Sequence, residues 1–468
     1  MTFLSFIQTR RGAWYFFIAV FLVLVLLWLP GVKYPVLSDT AIYAFLGDSL
    51  WKDLRYELLD VSYSKHLPFH AFTSHPLVEI FGYTMGMKLA TLFAGFGVLT
   101  LTYIVLRKTM PRGVAEGAVL LLLFQHAFVL MIQLGSADLL FTALFLLAVY
   151  GYVRADEDER WYAVAFIAAG CATLTRYNGA PLFILFLGHT FFRRRSDFTL
   201  PIYWASAIAG GLIFGLWLIR NAYVFGNPLH TDYTGEYADH TPNVLQQIVS
   251  NTLYYLHPLH NFLPLFLTTA LYGLWKHARE QWFLIAAMLA AWVMTSFWWM
   301  QAMRFAFPGF PILAGFAVWG FLDLWKRIVA FTAPGFRHWL LPTLMTVIIA
   351  MHGGALCLYA YGECNAAFDR YVGVIPKDLG LTPEGFYAWH EARQYMRSNL
   401  PDRATVYATD TFSEIIWRKD HALRPDIRIV SDYVCGSYRF TQRPDAGETV
   451  LFTSIAEPKT SVAVATCE

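Results

Sequence analysis

Charge is scarce in this chain. Asp, Glu, Lys and Arg make up 15% of its 468 residues, and 35 basic residues nearly cancel 33 acidic ones. The balance implies neither a nucleic-acid partner nor a strongly acidic one. Cysteine is sparse as well: the five present form no CxxC or zinc-finger spacing, so cysteine-based metal and redox motifs are excluded. No unit of roughly 20 to 50 residues recurs, which excludes a solenoid or propeller. The first apolar run ends in Leu29-Pro30-Gly31-Val32-Lys33. It offers no small-residue cleavage site and reads as a retained signal-anchor.

Apolar side chains fill the space that charge leaves. They account for 57% of the chain, and aromatic residues for 17%. Runs of membrane-spanning length fall near residues 14–32, 83–106, 113–133, 138–154, 161–175, 179–192, 199–219, 254–275, 281–300, 303–324 and 339–361, which predicts about eleven transmembrane helices. With Arg10 and Arg11 on the cytoplasmic side, alternate connections carry Arg107, Lys108 and Arg112, then Arg154 and Arg160, Arg193 to Arg195, Lys276 and Arg279, and Lys326, Arg327 and Arg337. All are then inside, as the positive-inside rule expects. The expectation is a multi-pass protein of the cell membrane, N-terminus inside and C-terminus outside.

Three segments are too polar for lipid, and this topology puts all of them outside. Residues 33–82 contain aromatic-rich pieces, Ala41 to Trp51 and His66 to Phe72, suited to helices lying at the interface. Residues 220–253 form a second loop. Residues 363–468 read as a small extracytoplasmic α/β domain following a transmembrane module over 1–362, with a helix at Glu384 to Asn399 and strands at Ala404 to Ala408, Ile427 to Val434 and Thr449 to Ile455. Cys171 and Cys357 lie in spans. Cys364, Cys435 and Cys467 lie on the oxidising side, where one disulfide among the three is expected with its pairing open.

The charged residues at span ends carry the chemistry. Asp39, in Ser38-Asp39-Thr40-Ala41-Ile42-Tyr43, can cap a surface helix or serve as a general base at the membrane interface, and the two roles are compatible. Asp138 opens a later span and can likewise be a cap. Arg176, Arg220 and Arg304 occupy the same outer ends, against the usual inside bias. Each could snorkel at the headgroups, but guanidinium forks also bind phosphate bidentately. Lys65 adds a cation nearby. His66, His70 and His75 have helical metal-ligand spacing, but Pro68 and Pro76 interrupt it and no carboxylate is adjacent, so no metal site is assigned and no cofactor expected; a divalent ion is the minority alternative. The stretch Asn227 to His240 is polar and aromatic enough to touch a sugar or a metal, and otherwise reads as a solvated loop. Tyr254-Tyr255 and Trp298-Trp299 read as aromatic belt.

In order and spacing, Ser38 to Tyr43, Gly135-Ser136-Ala137-Asp138-Leu139-Leu140-Phe141-Thr142, Leu174-Thr175-Arg176-Tyr177-Asn178-Gly179, Trp217-Leu218-Ile219-Arg220-Asn221 through Phe225-Gly226-Asn227-Pro228, and Arg304-Phe305 with Pro308 and Pro311 resemble the GT-C glycosyltransferases of family 39, the protein O-mannosyltransferase and aminoarabinose-transferase type. The resemblance spans roughly residues 10–325. It implies a GT-C membrane fold, Asp39 as the catalytic carboxylate of the first external loop, and a polyprenyl-phosphate-linked sugar as donor. Two departures stand out. Many members have Asp-Glu where this chain has Asp39-Thr40, and Lys-Pro-Pro where it has Ser74-His75-Pro76; Lys65-His66-Leu67-Pro68 offers a substitute cation.

The expected reaction is transfer of the sugar to a hydroxyl of a protein, lipid or glycan, with inversion. Asp39 is the base, Arg176, Arg220 or Arg304 holds the phosphate, and Asp138, Lys65, His66 and His75 line the site. A retaining route would need a second carboxylate, for which Asp138 is the one candidate. The rival readings are a lipid-linked glycan ligase or polymerase, which shares outer loops and arginines, and a lipid transporter or flippase, which would place charge near the bilayer midplane and show repeated halves.

Overall fold

The structure is a computed structural model. It describes residues 10–32, 39–58, 61–240, 243–256, 264–331, 343–344, 346–354, 392, 395–396, 398–407, 426–430, 434–441, 446–453 and 461–465.

Apolar composition makes most of the chain helical, because a backbone in lipid must satisfy its hydrogen bonds within its own segment. In chain order the helices are α1 (Arg10–Trp28), α2 (Asp39–Asp53), α3 (Pro68–Phe81), α4 (Tyr83–Thr109), α5 (Val114–Leu123), α6 (His126–Leu134), α7 (Ala137–Arg154), α8 (Trp161–Thr175), α9 (Pro181–Arg193), α10 (Pro201–Phe225), α11 (Tyr233–His240), α12 (Val244–Leu256), α13 (Pro264–His277), α14 (Trp282–Phe297), α15 (Met303–Ala306) and α16 (Phe310–Phe331). A short hairpin, β1 (Glu57–Leu58) and β2 (Val61–Ser62), joins α2 to α3.

Five helical runs, Arg11–Gly31, Tyr83–Thr109, Ala137–Arg154, Pro201–Phe225 and Met303–Phe331, are long and apolar enough to cross a membrane. The chain is therefore a multi-pass membrane protein. The span expected at 113–133 is instead two helices, α5 and α6, bent by 59°. The break is capped: the Gln125 side chain accepts from the Phe128 N–H at 2.8 Å, so the new helix satisfies one of its own end donors. Gly135, with φ of +81°, ends α6 and turns the chain into α7. The span expected at 254–275 begins in α12 and ends in α13, with residues 257–263 outside the described part. The last expected span, 339–361, is described only over 343–344 and 346–354, which are helical.

The bundle is apolar outside as well as inside. Phe128, Phe145, Phe166 and Phe307 lie in its buried core, while Ile184, Phe192, Leu212, Leu216 and Ile219 are exposed on its surface, as suits contact with lipid. Without a hydrophobic force between helices, close backbone packing holds them together. A Cβ built on Gly170 of α8 would sit 2.3 Å from the Gly210 carbonyl oxygen of α10, and one on Gly320 of α16 would sit 2.1 Å from the Thr269 oxygen of α13. Both contacts exist only because the side chain is hydrogen.

The C-terminal part carries β3 (Thr405–Tyr407), β4 (Arg428–Val430), β5 (Tyr438–Thr441), β6 (Glu448–Thr453) and β7 (Ser461–Ala465) in a five-stranded mixed sheet of order β4-β3-β5-β7-β6. β3 pairs in parallel with β4 and β5, and the other two pairings are antiparallel. The expected strands correspond to β3, β4 and β6; β5 and β7 were not expected. Arg439 reaches Glu448 through Nε at 2.6 Å and Nη2 at 2.7 Å, a bidentate pair pinning β5 beside the register of β6 and β7. Of the expected helix over 384–399, only 392, 395, 396, 398 and 399 are described, and they are helical. Cys435 is disulfide-bonded, and Cys171 in α8 is free.

Candidate active site

Five of the sequence-selected residues meet at one end of the bundle. Asp39 opens α2, and its side chain keeps 36% exposure. One oxygen, Oδ1, stands 3.3 Å from His66 Nε2, and Oδ2 accepts from Arg304 Nη2 at 3.3 Å. The far nitrogen of His66, Nδ1, is 2.5 Å from the hydroxyl of Tyr63, whose ring runs parallel to the imidazole with centroids 5.6 Å apart. Burial alone would raise the Asp39 carboxyl. The adjacent His66, then Arg304 and Arg176, outweigh burial and hold it well below the usual carboxylate range. Asp39 is thus a stable carboxylate ringed by donors.

Arg176 leaves the C-terminal end of α8 and ion-pairs with Asp138, which is 2% exposed at the start of α7. Asp138 is not the cap expected from sequence. Ser136 is, its hydroxyl accepting from the Asp138 N–H at 3.2 Å while also bonding the Asp138 carboxylate. That leaves the carboxylate to orient Arg176. The Phe305 ring organises the cations: the Arg176 guanidinium carbon lies 5.2 Å and that of Arg304 5.0 Å from its centroid. Arg304 Nε is buried with no hydrogen-bond partner among the described residues. A donor buried without a partner is costly unless something arrives to accept from it.

Aromatic rings wall this group. Tyr43 meets His66 edge-on at 5.0 Å and His70 at 4.9 Å, and Tyr233 meets Trp298 at 5.0 Å. Lys65 Nζ sits 5.5 Å from the Tyr233 ring centre. Tyr233 belongs to α11, so the stretch expected as a solvated loop is helical there. It is tied down by Ser64 Oγ donating to Asp232 Oδ2 at 2.9 Å and by Asn221 Nδ2 donating to the His230 carbonyl at 3.0 Å. Trp298 is more than belt: its carbonyl accepts from Asn251 at 2.7 Å and from Gln247 at 3.0 Å, anchoring α12 to the end of α14.

Two expected members stand elsewhere. Arg220 donates to the carbonyls of Tyr63 at 2.9 Å and Tyr56 at 3.0 Å and to Asn221 Oδ1 at 3.0 Å, over the Trp217 ring. Its fork closes the β1–β2 hairpin onto α10 instead of facing Asp39. His75 lies within α3, which continues through Pro76 to Phe81. The expectation that prolines interrupt this helix and that no carboxylate is near is corrected: Pro68 starts the helix, and His75 faces Asp48 and Glu79. The three histidines do not converge. His70, 1% exposed, has neither ring nitrogen hydrogen-bonded by a side chain among the described residues, and burial pushes its pKa down to about 4 against smaller upward pulls from Gly135 and Asp138.

The arrangement offers an anionic base flanked by fixed guanidiniums beneath an aromatic wall. Comparisons with known proteins bear on what such a site serves. A family model described as dolichyl-phosphate-mannose-protein mannosyltransferase matches residues 65–219. The structure of ArnT from Cupriavidus metallidurans bound to undecaprenyl phosphate superposes on 98% of this chain and 100% of its own, with TM-score 0.62 and 14% identity. This is the GT-C glycosyltransferase fold. The apo form of that ArnT gives TM-score 0.64 at 13% identity over 98% of this chain and 100% of its own. A second GT-C neighbour, the archaeal oligosaccharyltransferase AglB from Archaeoglobus fulgidus in complex with an inhibitory peptide and a dolichol-phosphate, gives TM-score 0.53 and 14% identity over 83% of this chain and 58% of its own. No curated protein sequence matches significantly.

Tyr63 is a site residue that sequence reasoning passed over, while Tyr233 and Phe305 stood only inside longer stretches with no role of their own. Aromatic residues are so frequent here that their identity carries no signal. Phe305 was readable only through its place beside Arg304.

Proposed function

We propose that the chain is a membrane glycosyltransferase that moves a sugar from a polyprenyl-phosphate donor to an acceptor hydroxyl at the outer membrane face, inverting the anomeric carbon. The observation carrying this reading is the Asp39 carboxylate held between His66 and Arg304, with the Arg176 guanidinium also against the Phe305 ring. The sugar-phosphate bond is already activated, so the reaction asks little of the enzyme. The acceptor oxygen attacks the anomeric carbon, its proton passes to Asp39, and the carbon–oxygen bond to phosphate breaks with the electron pair leaving on the phosphate. Arg304 and Arg176 stabilise that growing charge from fixed positions, a preorganised electrostatic effect. The aromatic wall of Tyr233 and Trp298 suits the apolar face of a sugar ring.

The outward orientation draws support from the opposite end of the bundle. Arg107 and Lys108 end α4 and Arg154 ends α7, and cations of this kind collect on the cytoplasmic side. On that orientation the C-terminal sheet lies outside, where the Cys435 disulfide is at home.

The deciding experiment measures transfer of labelled sugar from a panel of polyprenyl-phosphate sugars by the purified protein, with Asp39→Asn in parallel. Transfer by the native protein that disappears in the variant, with donor binding kept, supports the reading. Unchanged transfer removes Asp39 as base. Movement of labelled lipid across proteoliposomes without any transfer replaces the enzyme with a flippase.

A further inference from the structure

Asp48 lies on α2 with Asp39, yet its neighbours differ. Its Oδ1 is 3.3 Å from His75 Nδ1, and Glu79 Oε2 is 3.8 Å from His75 Nε2. One ligand atom from each of the three residues lies within 4.8 Å of the other two. Asp48 is 7% and His75 5% exposed, and His75 Nδ1 is buried with no hydrogen-bond partner among the described residues. A buried imidazole nitrogen beside a carboxylate, without a hydrogen bond between them, is a ligand pair waiting for a centre. Ligands about 2.0–2.1 Å from a tetrahedral zinc ion stand about 3.3–3.4 Å from each other, the spacing of Asp48 Oδ1 and His75 Nδ1; the Glu79 carboxylate, now nearer Nε2, has to swing toward Nδ1 to complete the set.

The surroundings fix two of the three ligands, Asp48 and His75, as a metal site requires. The Tyr83 hydroxyl donates to Asp48 Oδ2, which leaves Oδ1 turned to His75. Trp51 stacks on the His75 ring at 5.6 Å, and its own N–H is fixed by the Phe72 carbonyl at 2.9 Å. His75 and Glu79 share one face of α3, a turn apart, while Asp48 comes from α2. Lys52 is the competitor: Nζ lies 3.4 Å from Asp48 Oδ2 and 4.0 Å from Glu79 Oε2, on a side chain 54% exposed and able to withdraw.

We propose that Asp48, His75 and Glu79 bind one zinc ion, with water in the fourth position, stapling α2 to α3 and thereby fixing the helix that begins at Asp39. The proposal is independent of the sugar-transfer reading, since it concerns only metal content and stability. The test uses untagged full-length protein, stripped with chelator and titrated with zinc by calorimetry. Cobalt substitution reports the ligand field, and melting is followed with and without zinc. The expected result is one zinc per chain and a zinc-dependent rise in Tm. Affinity should fall about 100-fold in His75→Ala and roughly 10-fold in Glu79→Gln, and rise in Lys52→Met, which removes the competing ammonium. Glu79 and Lys52 are exposed, so their variants stay informative if His75→Ala fails to fold. No binding at about 100 μM zinc, a concentration well above the dissociation constants of specific zinc sites, overturns the proposal; so does binding that none of these substitutions alters.

Discussion

Asp39 and Asp48 belong to one helix, and each faces a histidine nitrogen at 3.3 Å. What surrounds each pair separates them. Around Asp39 stand Arg304 and Arg176, balanced by Asp39 itself and Asp138, with Lys65 added at the Tyr233 wall, so cations dominate what an arriving anion meets. Around Asp48 stands a second carboxylate, Glu79, and the surplus charge is negative. The same two residue types therefore make a candidate reaction centre in one place and a candidate cation site in the other. An Asp–His pair has no fixed meaning; the third partner supplies it.

The comparison breaks most visibly by removing one carboxylate at a time. Asp39→Asn is expected to lower sugar transfer by roughly 100- to 10,000-fold, the range for a positioned general base. Asp48→Asn should leave transfer within a few-fold and act on thermal stability instead. Equal losses of turnover in the two variants would mean that they do not serve separate sites.

The arginines extend the test with a smaller effect. Arg176→Met leaves Asp138 as a buried charge without its partner, at a cost of about 3–5 kcal/mol, and should also slow transfer. Arg220→Met unties the β1–β2 hairpin from α10 and should lower the melting temperature with less change in turnover per folded molecule. Measuring kcat beside Tm for both separates them; a larger kcat loss in Arg220→Met would return that residue to the reaction centre.

The smallest expected effect is a pH response. His70 titrates at about 4 in the folded chain, below the ordinary histidine value of 6.5. The unfolded chain therefore binds more protons between those values. The stability contributed by neutral His70 is full above about pH 6.5 and lost as pH falls toward about 4. Thermal melts from pH 7 to 4 should show His70→Phe declining less steeply than the native protein; parallel curves would mean that burial does not hold the imidazole neutral.

Much of this was readable beforehand, for physical reasons. Lipid imposes apolarity over a fixed length, so spans such as those of α4, α7 and α10 stand out in the sequence. The turn at Phe124 and Gln125 does not, because both flanking helices are apolar and the break lies in backbone geometry and one amide cap. Arg176 and Arg220 look alike in sequence, each ending an apolar stretch. Only tertiary contact distinguishes a guanidinium paired with Asp138 from one consumed by the carbonyls of Tyr56 and Tyr63. Of the carboxylates facing His75, Asp48 escaped notice because it sits on another helix, whereas Glu79 lies one turn on and is hidden only by reading Pro76 as a helix break. Strands β5 and β7 were missed because each is short and makes sense only in the sheet that pairs them.

The Phe305 ring with a guanidinium at 5.2 Å and another at 5.0 Å has a kinetic consequence. On the proposed chemistry the donor is a phosphodiester with a single negative charge, whereas the spent carrier is a monoester bearing about −1.5 to −2 at neutral pH. Two cations kept near each other by one aromatic plate will grip the leaving lipid harder than the arriving one. The catalyst's affinity is then greatest for what it has just released, and a rapid-mixing experiment should show a first turnover faster than those that follow. Whatever enzyme recycles the carrier phosphate would set the pace of this one.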